Sequence, residues 1–574
     1  MKISKMTIIL SCLMILSCSR TEVRKISVDT YIDKMKAGWI GQMAGVGWGG
    51  PTEFKWQGQI IPAEDVPNWT PDMINQFHQD DIYVEMTFLR TLEQHGLGVS
   101  IRQAGIDFAN SQYMLWHANK AGRDNLRSGI APPWSGHPHF NSHADDIDYQ
   151  IEADYAGLIS PGLPQSCIDL GEIFGRLMNY GDGLYGGQFV AGMYAEAFFE
   201  NDIEKIVQSG LACIPKQSQY YEAITDVLDW YHRYPDDWTK TWQLIEDKYH
   251  HNPAYRKFSC SGADSDFNID AKINGAYIVM GLLYGRGDLD RTIEIAMRCG
   301  QDSDCNPSNA AGILATTIGY EHLPEKYKSG LNLQQKFSYT EYNFPQLVAV
   351  CEKLARQVVQ RYGGKIQRVD NQEMFVIPIH PAKQSDLEQC WAADSIAVDP
   401  HFTPEEMALI TVKIRPPEDF IQHWQISGPY SIEGKDAAAL FDMAFPPEKN
   451  QGQWRTIQLG KDGSSLTNIE FHNFYGGENR VAYARTRFYS EVALKALLEL
   501  GTDDGVKLWH NGQLIHQNNI QRACNPGEDK IQLQIQPGWN ELLFKVTQGT
   551  GGWEMTACLV DEKKEALKQL KFEY

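Results

Sequence analysis

The hydrophobic period of the sequence changes once, near residue 365, and this change divides the chain into two kinds of fold. From 28 to 365, apolar residues recur at the i, i+3, i+4 and i+7 spacing of amphipathic helices, as in YIDKMKAGWIGQMAGVGWG. Beyond that point apolar and polar residues alternate in short runs such as VKLWHNG and KIQLQIQ, separated by turn sequences. We predict an all-α domain at 28–365, a linker at 366–385 and an all-β jelly-roll sandwich at 386–565.

The charge of the chain excludes one class of partner. The 574 residues carry 52 Lys and Arg against 73 Asp and Glu, which gives a formal net charge of -21. A field of that sign repels phosphate backbones, so we predict that the protein binds no nucleic acid. The length is too great for one simple core and agrees with a multidomain protein.

The N-terminus has the pattern of an export signal. Lys2 and Lys5 precede an apolar run at 6–16 that is too short to span a bilayer. The sequence ILSC at 15–18 resembles the lipobox of bacterial lipoproteins, which predicts a signal peptide at 1–17 and a lipid on Cys18. The alternative is an ordinary signal peptide in which Cys18 is incidental. Either way we expect export, and in the first case a periplasmic or outer-membrane lipoprotein that meets the membrane through its lipid only.

Two acidic clusters lie beside predicted helices, some 220 residues apart. Asp80 and Asp81 stand in HQDDIYVEMTF where a helix begins, and such residues have a plain use as caps of free N–H groups. Asp302 and Asp304 flank a serine in CGQDSDCNPS, just before a helix of small residues. Carboxylates this close repel each other unless a cation offsets their charge, and oxygen donors suit Mg²⁺ or Ca²⁺.

Three motifs in order resemble those of the ADP-ribosylglycohydrolase family. They are GQMAGVGWGGPTEF at 41–54, QDD at 79–81 and GQDSDC at 300–305. The family pattern runs GxxxGDxxGxxxE, then Thr-Asp-Asp, then Gly-Gly-Asp-Thr-Asp-Thr. The resemblance covers about 28–325.

The resemblance implies a cleft with two Mg²⁺ ions that orient a ribosyl group and a water for cleavage at the anomeric carbon. The matching metal ligands are Glu53, Gln79, Asp80, Asp81, Asp302, Asp304 and Cys305. Among these we expect Asp80, Asp81 and Asp302 to take part in catalysis.

Three positions depart from the family pattern. Val46 stands where the family has Asp, Gln79 replaces the first Thr, and Cys305 replaces the last Thr. Gln79 still offers a carbonyl oxygen to a hard cation. Cys305 is a soft donor, which leaves open a single ion or a preference for Mn²⁺ or Zn²⁺.

A third acidic stretch and three tryptophans are further candidates. NSHADDIDYQIEADYAG at 141–157 lies between the metal motifs, and we expect Asp146 or Asp148 to line the pocket as an extra acid or base; a solvated helix start is the alternative. Trp509, Trp539 and Trp553 of the sandwich suit stacking on sugar rings where exposed, and core packing where buried.

Together these patterns predict an exported, metal-dependent glycoside hydrolase that cleaves an N- or O-glycosidic bond. The substrate is an ADP-ribosyl compound or a related ribosyl, furanosyl or glycan compound of small size. The alternative is a catalytically inactive lipoprotein that binds glycans or nucleotide sugars. Nine cysteines remain after residue 18, an odd number at irregular spacing, which leaves one or two disulfides open.

Overall fold

The computed structural model describes residues 22–573, which form two compact units divided between Lys413 and Ile414. The first unit is helical and the second is rich in antiparallel sheet, as predicted. The predicted signal peptide and the lipid-bearing Cys18 lie outside the described residues. Among the residues described, no helix is both long enough and apolar enough to cross a bilayer.

The bounds of the elements of the first unit follow the chain. Its helices are α1 Val28–Gly49, α2 Asp80–His95, α3 Ile101–Ala109, α4 His117–Arg127, α5 Asp148–Ile151, α6 Asp154–Leu158, α7 Pro164–Phe174, α8 Asp182–Ala197, α9 Ile203–Leu211, α10 Gln219–Arg233, α11 Trp238–Ile245, α12 Ala271–Gly285, α13 Leu289–Arg298, α14 Cys305–Ile318, α15 Phe344–Arg361 and α16 Pro404–Leu409. Its strands are β1 Val23–Ser27, β2 Lys365–Val369 and β3 Gln372–Pro378, which pair in the order β1-β3-β2.

The second unit contains two antiparallel sheets. Its short helices are α17 Ala437–Phe441 and α18 Phe471–Tyr475. Its strands are β4 His423–Tyr430, β5 Arg455–Gln458, β6 Ile469–Glu470, β7 Arg480–Ser490, β8 Leu494–Thr502, β9 Val506–His510, β10 Gln513–Asn518, β11 Asp529–Ile535, β12 Gly538–Gln548, β13 Glu554–Val560 and β14 Lys571–Glu573. One sheet has the order β10-β9-β12-β7-β4-β5, with β14 on β7, and the other has the order β11-β8-β13-β6.

The buried faces of these two sheets share one core. Trp424 and Phe544 of the first sheet belong to the same apolar cluster as Leu498 and Leu533 of the second. Of the three tryptophans considered for sugar stacking, Trp553 is fully buried, Trp509 is half-buried and Trp539 is 43% exposed. Trp553 therefore has the core role.

The division between the units falls later than the change in sequence texture. Strands β2 and β3 occupy much of the expected linker and pair with β1, and residues 386–413 belong to the first unit. Arg102 Nε donates to Glu406 Oε1 at 2.6 Å, and the Tyr185 hydroxyl donates to the Asp386 carbonyl at 2.7 Å. An extended segment held by such individual polar contacts has no hydrophobic period, so its sequence does not reveal where it packs.

The core of the first unit is built around helices that are apolar on every side. All residues of α12 are buried, and in α8 only Glu196 is not. Such helices pack among other helices and present no solvent face. The nine cysteines within the described residues are free thiols, and seven of them are buried, so no disulfide forms among them.

Helix α1 packs directly on the backbone of α14 through glycines spaced four residues apart. A Cβ on Gly41 would lie 2.4 Å from the Ala311 carbonyl oxygen, and one on Gly45 would lie 2.3 Å from that of Pro307. Residues four apart share one face of a helix, so the glycines form a smooth stripe. The close contact holds the loop after α1 against the segment that enters α14.

We predict that Gly45→Ala destabilises the first unit by about 2 kcal/mol, because an added methyl group meets backbone that cannot yield without separating the helices. This loss exceeds the helix-propensity gain of about 1 kcal/mol from replacing Gly by Ala. Gly98→Ala is the matched control, since its Cβ would meet only the tip of Arg361 at 3.9 Å. Calorimetric midpoints that are equal for the two variants would contradict this account of the contact.

Candidate active site

The three acidic motifs meet where α1 ends and α14 begins. Asp80 and Asp81 are the first residues of α2, and Asp304 immediately precedes α14. The donor atoms of Asp81, Asp304 and Cys305 lie within 4.8 Å of one another. The Cys305 thiol is 3.2 Å from Asp81 Oδ2 and 3.7 Å from Asp304 Oδ1. The fold thus joins two motifs that are some 220 positions apart.

Short hydrogen bonds hold the loop that carries Glu53 against the 302–305 segment. The hydroxyls of Thr52 and Ser303 are 2.7 Å apart, and Thr52 also donates to the Gly49 carbonyl at 2.7 Å. The backbone N–H of Cys305 donates to Asp302 Oδ1 at 3.2 Å. These bonds fix the backbone on both sides of the acidic cluster.

Burial and mutual repulsion raise the pKa values of the clustered carboxyl groups. The pKa of Asp81 is raised by burial and by the charges of Asp304 and Asp80. Burial raises the pKa of Asp302 to about 7, with further contributions from Glu53 and Asp81. Each shift reports that negative charge is costly here.

Glu53 and Asp304 show the same effect. Partial desolvation in the cleft, Asp304 and Asp80 raise the pKa of Glu53, although much of its side chain is exposed. Burial and Asp302 raise the pKa of Asp304. The five clustered acids are Glu53, Asp80, Asp81, Asp302 and Asp304. Within residues 22–573, no Lys, Arg or His forms a salt bridge with any of them.

The donor set fits a hard divalent cation. Asp81 is fully buried, and its Oδ1 has no hydrogen-bond partner among the described residues. An orphaned carboxylate oxygen among other carboxylates is costly unless a cation or a proton satisfies it. Gln79 caps the position before α2 and is half-buried, with its Nε2 near Gly50 at the rim. Its role as a ligand remains a prediction, and Val46, buried in the core, offers no donor.

A buried glutamate supports the helix that carries Asp80 and Asp81. Glu85, on the next turn of α2, accepts hydrogen bonds from the Gln42 amide and, at 2.8 Å, from the Tyr155 N–H. Gln42 Nε2 also donates to the Asp81 carbonyl at 3.2 Å. The side chain from α1 therefore fixes the height of α2 in the cleft.

Asp148, considered as an acid or base, caps a helix. Its two oxygens accept the backbone N–H groups of Ala118 at 3.1 Å and Asn119 at 2.8 Å, at the N-terminus of α4. Burial raises its pKa to about 7, and the charge of Asp80 adds to this shift. Asp148 thus lies within electrostatic range of the acidic cluster, and its catalytic role remains a prediction.

Asp146 lies between two histidines rather than in the acidic cluster. Its Oδ2 is 2.7 Å from His143 Nδ1 and 3.5 Å from His117 Nδ1. His117, the first residue of α4, has a φ of 40°, an unusual value for a non-glycine residue. The sequence analysis missed His117 because a lone histidine belongs to no motif and backbone conformation cannot be read from residue type.

A helical unit with an acid-lined cleft between α1, α2 and α14 is the arrangement that the motifs imply. The family model for ADP-ribosylglycohydrolase matches residues 27–365, well over half of the chain. The chain belongs to the ADP-ribosylglycohydrolase family. A search of curated proteins found no match.

Similar solved structures are distant. An ADP-ribosylglycohydrolase-related protein complex has 13% identity and a TM-score of 0.37, over 57% of this chain and 99% of that chain. A PA14 sugar-binding domain from an RTX adhesin has 14% identity and a TM-score of 0.12, over 27% and 68%. A β-glucosidase from Kluyveromyces marxianus has 10% identity and a TM-score of 0.17, over 45% and 33%. Family membership therefore rests on the family model.

We predict that Asp148→Ala loosens the N-terminus of α4 and costs about 1 kcal/mol, because two backbone N–H groups lose their acceptor. Asp148→Asn keeps one acceptor oxygen and recovers part of that loss. Amide hydrogen exchange in 117–127 measures the effect, and it increases in the order wild type, Asn, Ala. Unchanged exchange in the Ala variant would refute the capping role, and an Asn variant with native exchange but no turnover would establish a catalytic one.

Proposed function

We propose that this protein is an exported, metal-dependent glycoside hydrolase that cleaves an N- or O-glycosidic bond. The observation that carries the proposal is the convergence of Glu53, Asp80, Asp81, Asp302 and Asp304 at the end of α1, within a domain of the ADP-ribosylglycohydrolase family. Glycosidic hydrolysis needs groups that give and take protons around the anomeric carbon, and carboxyl groups do both.

The metal ligands proposed are the five acids with Gln79 and Cys305. Oxygen donors in this number favour Mg²⁺, two ions by family resemblance, with a single ion or Mn²⁺ as variants set by Cys305. When bound, such a cation orients sugar hydroxyls and polarises a water molecule. The chain contributes the fixed positions of the donors, since α1, α2 and α14 are locked together behind them.

We assign proton transfer to Asp80, Asp81 and Asp302. In the reaction, water adds to the anomeric carbon, the bond from that carbon to the leaving nitrogen or oxygen breaks, and the leaving atom receives a proton. One carboxylate takes the proton of the attacking water, and a carboxylic acid supplies the other. Three neighbouring carboxyl groups that cannot all be ionised together provide both forms.

The substrate class follows from the proposed export. We propose that a lipid on Cys18 anchors the chain at the periplasmic or outer membrane, where it meets small ribosyl, furanosyl or glycan compounds, ADP-ribosyl compounds among them. The net charge of -21 disfavours nucleic acid as a partner.

A second candidate function is glycan or nucleotide-sugar binding without catalysis. The observation in its favour is on the second unit, where Trp539 is 43% exposed beside Tyr489 and Arg487. An exposed aromatic face flanked by a cation suits a sugar ring.

We predict that Mg²⁺ stabilises the metal-stripped wild type and that Asp302→Asn abolishes this effect. Ligation of the folded state adds about 2.7 kcal/mol at 100 times the dissociation constant. Turnover of N- and O-linked ribosyl compounds falls at least about 100-fold in the same variant, because a metal-ligating carboxylate is lost. Thermal shift and product release measure the two effects.

Asp72→Asn, an exposed aspartate, is the matched control and keeps both properties. Full metal response and full turnover in Asp302→Asn would refute the site. A wild type that binds sugars but shows neither metal response nor turnover would favour the binding protein.

We predict that Cys305→Thr shifts the metal preference towards Mg²⁺ by about tenfold relative to Mn²⁺, because a hydroxyl replaces a softer donor beside Asp81 and Asp304. Calorimetric titration of both metals measures the ratio. Cys351→Ser changes a buried thiol outside the cluster and serves as control. An unchanged ratio in Cys305→Thr would show that Cys305 does not contact the metal.

A further inference from the structure

A second group of potential metal ligands lies outside the five-acid cluster and has different chemistry. It consists of His117 at the start of α4, His143 and Asp146 from the loop before α5, and Cys260 from the loop before α12. One donor atom from each of the four lies within 4.8 Å of the others. Two imidazoles, a carboxylate and a thiol are the donors that zinc prefers in proteins.

The group contains a buried charge that the neighbouring protein does not neutralise. Asp146 is fully buried, and its Oδ1 has no hydrogen-bond partner among the described residues. His117 Nδ1 is also buried without a partner there. The salt-bridge contacts of Asp146 within residues 22–573 are to His143 and His117 alone. A buried carboxylate that lacks Lys or Arg is the environment in which a bound cation removes the largest penalty.

The loop that carries His143 and Asp146 is fixed before any ligand binds. The N–H of His143 donates to Asn141 Oδ1 at 2.9 Å, and Asn141 Nδ2 donates to the Met178 carbonyl at 2.8 Å. Asn179 Nδ2 donates to the Asp146 carbonyl at 2.8 Å. Three buried amide contacts therefore set the positions of these two ligands.

A buried arginine organises the loop that carries Cys260. The Arg256 guanidinium, 4% exposed, donates to Ser261 Oγ at 2.6 Å and to the Phe267 carbonyl at 3.0 Å. Ser259 Oγ donates to Asp270 Oδ1 at 2.8 Å, which ties the loop to the start of α12. Cys260 lies between these anchored residues and is half-buried.

We propose that His117, His143, Asp146 and Cys260 form a zinc site that joins α4 to the two loops. Tetrahedral ligands at about 2.0–2.3 Å from zinc stand roughly 3.3–3.8 Å from one another, so donors within 4.8 Å close onto the ion with shifts of about 1 Å. Four protein donors leave no open position, which is the composition of a structural site. The ion stabilises the fold beside the cleft, and the proposal stands whether or not the five-acid cluster hydrolyses a glycoside.

The first test uses the metal-stripped full chain and needs no substituted protein. One zinc ion per chain is expected to bind in competition with a chromophoric chelator and to raise the thermal midpoint. Cobalt(II) in the same site gives the intense visible bands of tetrahedral coordination and a near-ultraviolet band from thiolate to metal. Absence of zinc binding, or a cobalt spectrum without the thiolate band, overturns the proposal.

The second test assigns the ligands. Cys260→Ser removes the thiolate band, and both Cys260→Ser and His143→Ala weaken zinc binding by at least the roughly 10- to 100-fold that loss of an outer ligand contact costs. The matched controls are Cys524→Ser, a half-buried thiol of the second unit, and His139→Ala, an exposed histidine near the same loop. Variants of Cys260 and His143 that bind zinc as tightly as these controls overturn the assignment.

A third measurement separates this site from the proposed active site. Asp302→Asn keeps the thiolate-to-cobalt band and the zinc affinity of the wild type, because none of the four ligands belongs to the five-acid cluster. Loss of the thiolate band in Asp302→Asn would place Cys305, not Cys260, at the zinc and would overturn the proposal. Loss of the Mg²⁺ response alone leaves the zinc site standing and bears on the hydrolase only.

Discussion

The contact between α1 and α14 is the constraint on which the site depends. Gly45 and Gly49 bring the two helices so close that an added methyl group would lie 2.3 Å from the Pro307 carbonyl oxygen and 2.2 Å from that of Ser303. Both ends of this contact carry acids: Glu53 follows α1, and Asp302 and Asp304 precede α14. A wider separation, of the kind that ordinary side chains impose on packed helices, would pull the two motifs apart.

Holding these acids together works against folding, and the structure shows where the opposing terms lie. Burial and repulsion raise the pKa values of Asp81, Asp302 and Asp304, so the cluster resists full ionisation near neutral pH. The surrounding core offsets this cost with α12 and α8, whose side chains are almost all removed from water. A binding site of this kind is pre-formed by the packing around it, and a cation then meets donors that need little rearrangement.

The sequence predicted what depends on period and on ordered motifs. Helices at 28–365, sheets beyond them and family membership are confirmed, because apolar spacing and motif order are carried by residue type. The sequence did not reveal β1–β3 pairing in the first unit or the packing of 386–413, since those depend on partners distant along the chain. It placed Asp148 in a pocket where the structure shows a helix cap, because an aspartate has the same letter in both roles.

The same limit explains the four-ligand group. His117, His143 and Cys260 are separated by 26 and 117 positions, far from the short spacings that mark zinc motifs in sequence. Only the folded loops bring them to Asp146. The two donor sets then differ in softness as well as place: carboxylates with one thiol at the end of α1, and imidazoles with a thiol at the start of α4. Cations divide between such sites by donor type, so a hard ion and zinc can occupy one domain without competing for the same ligands.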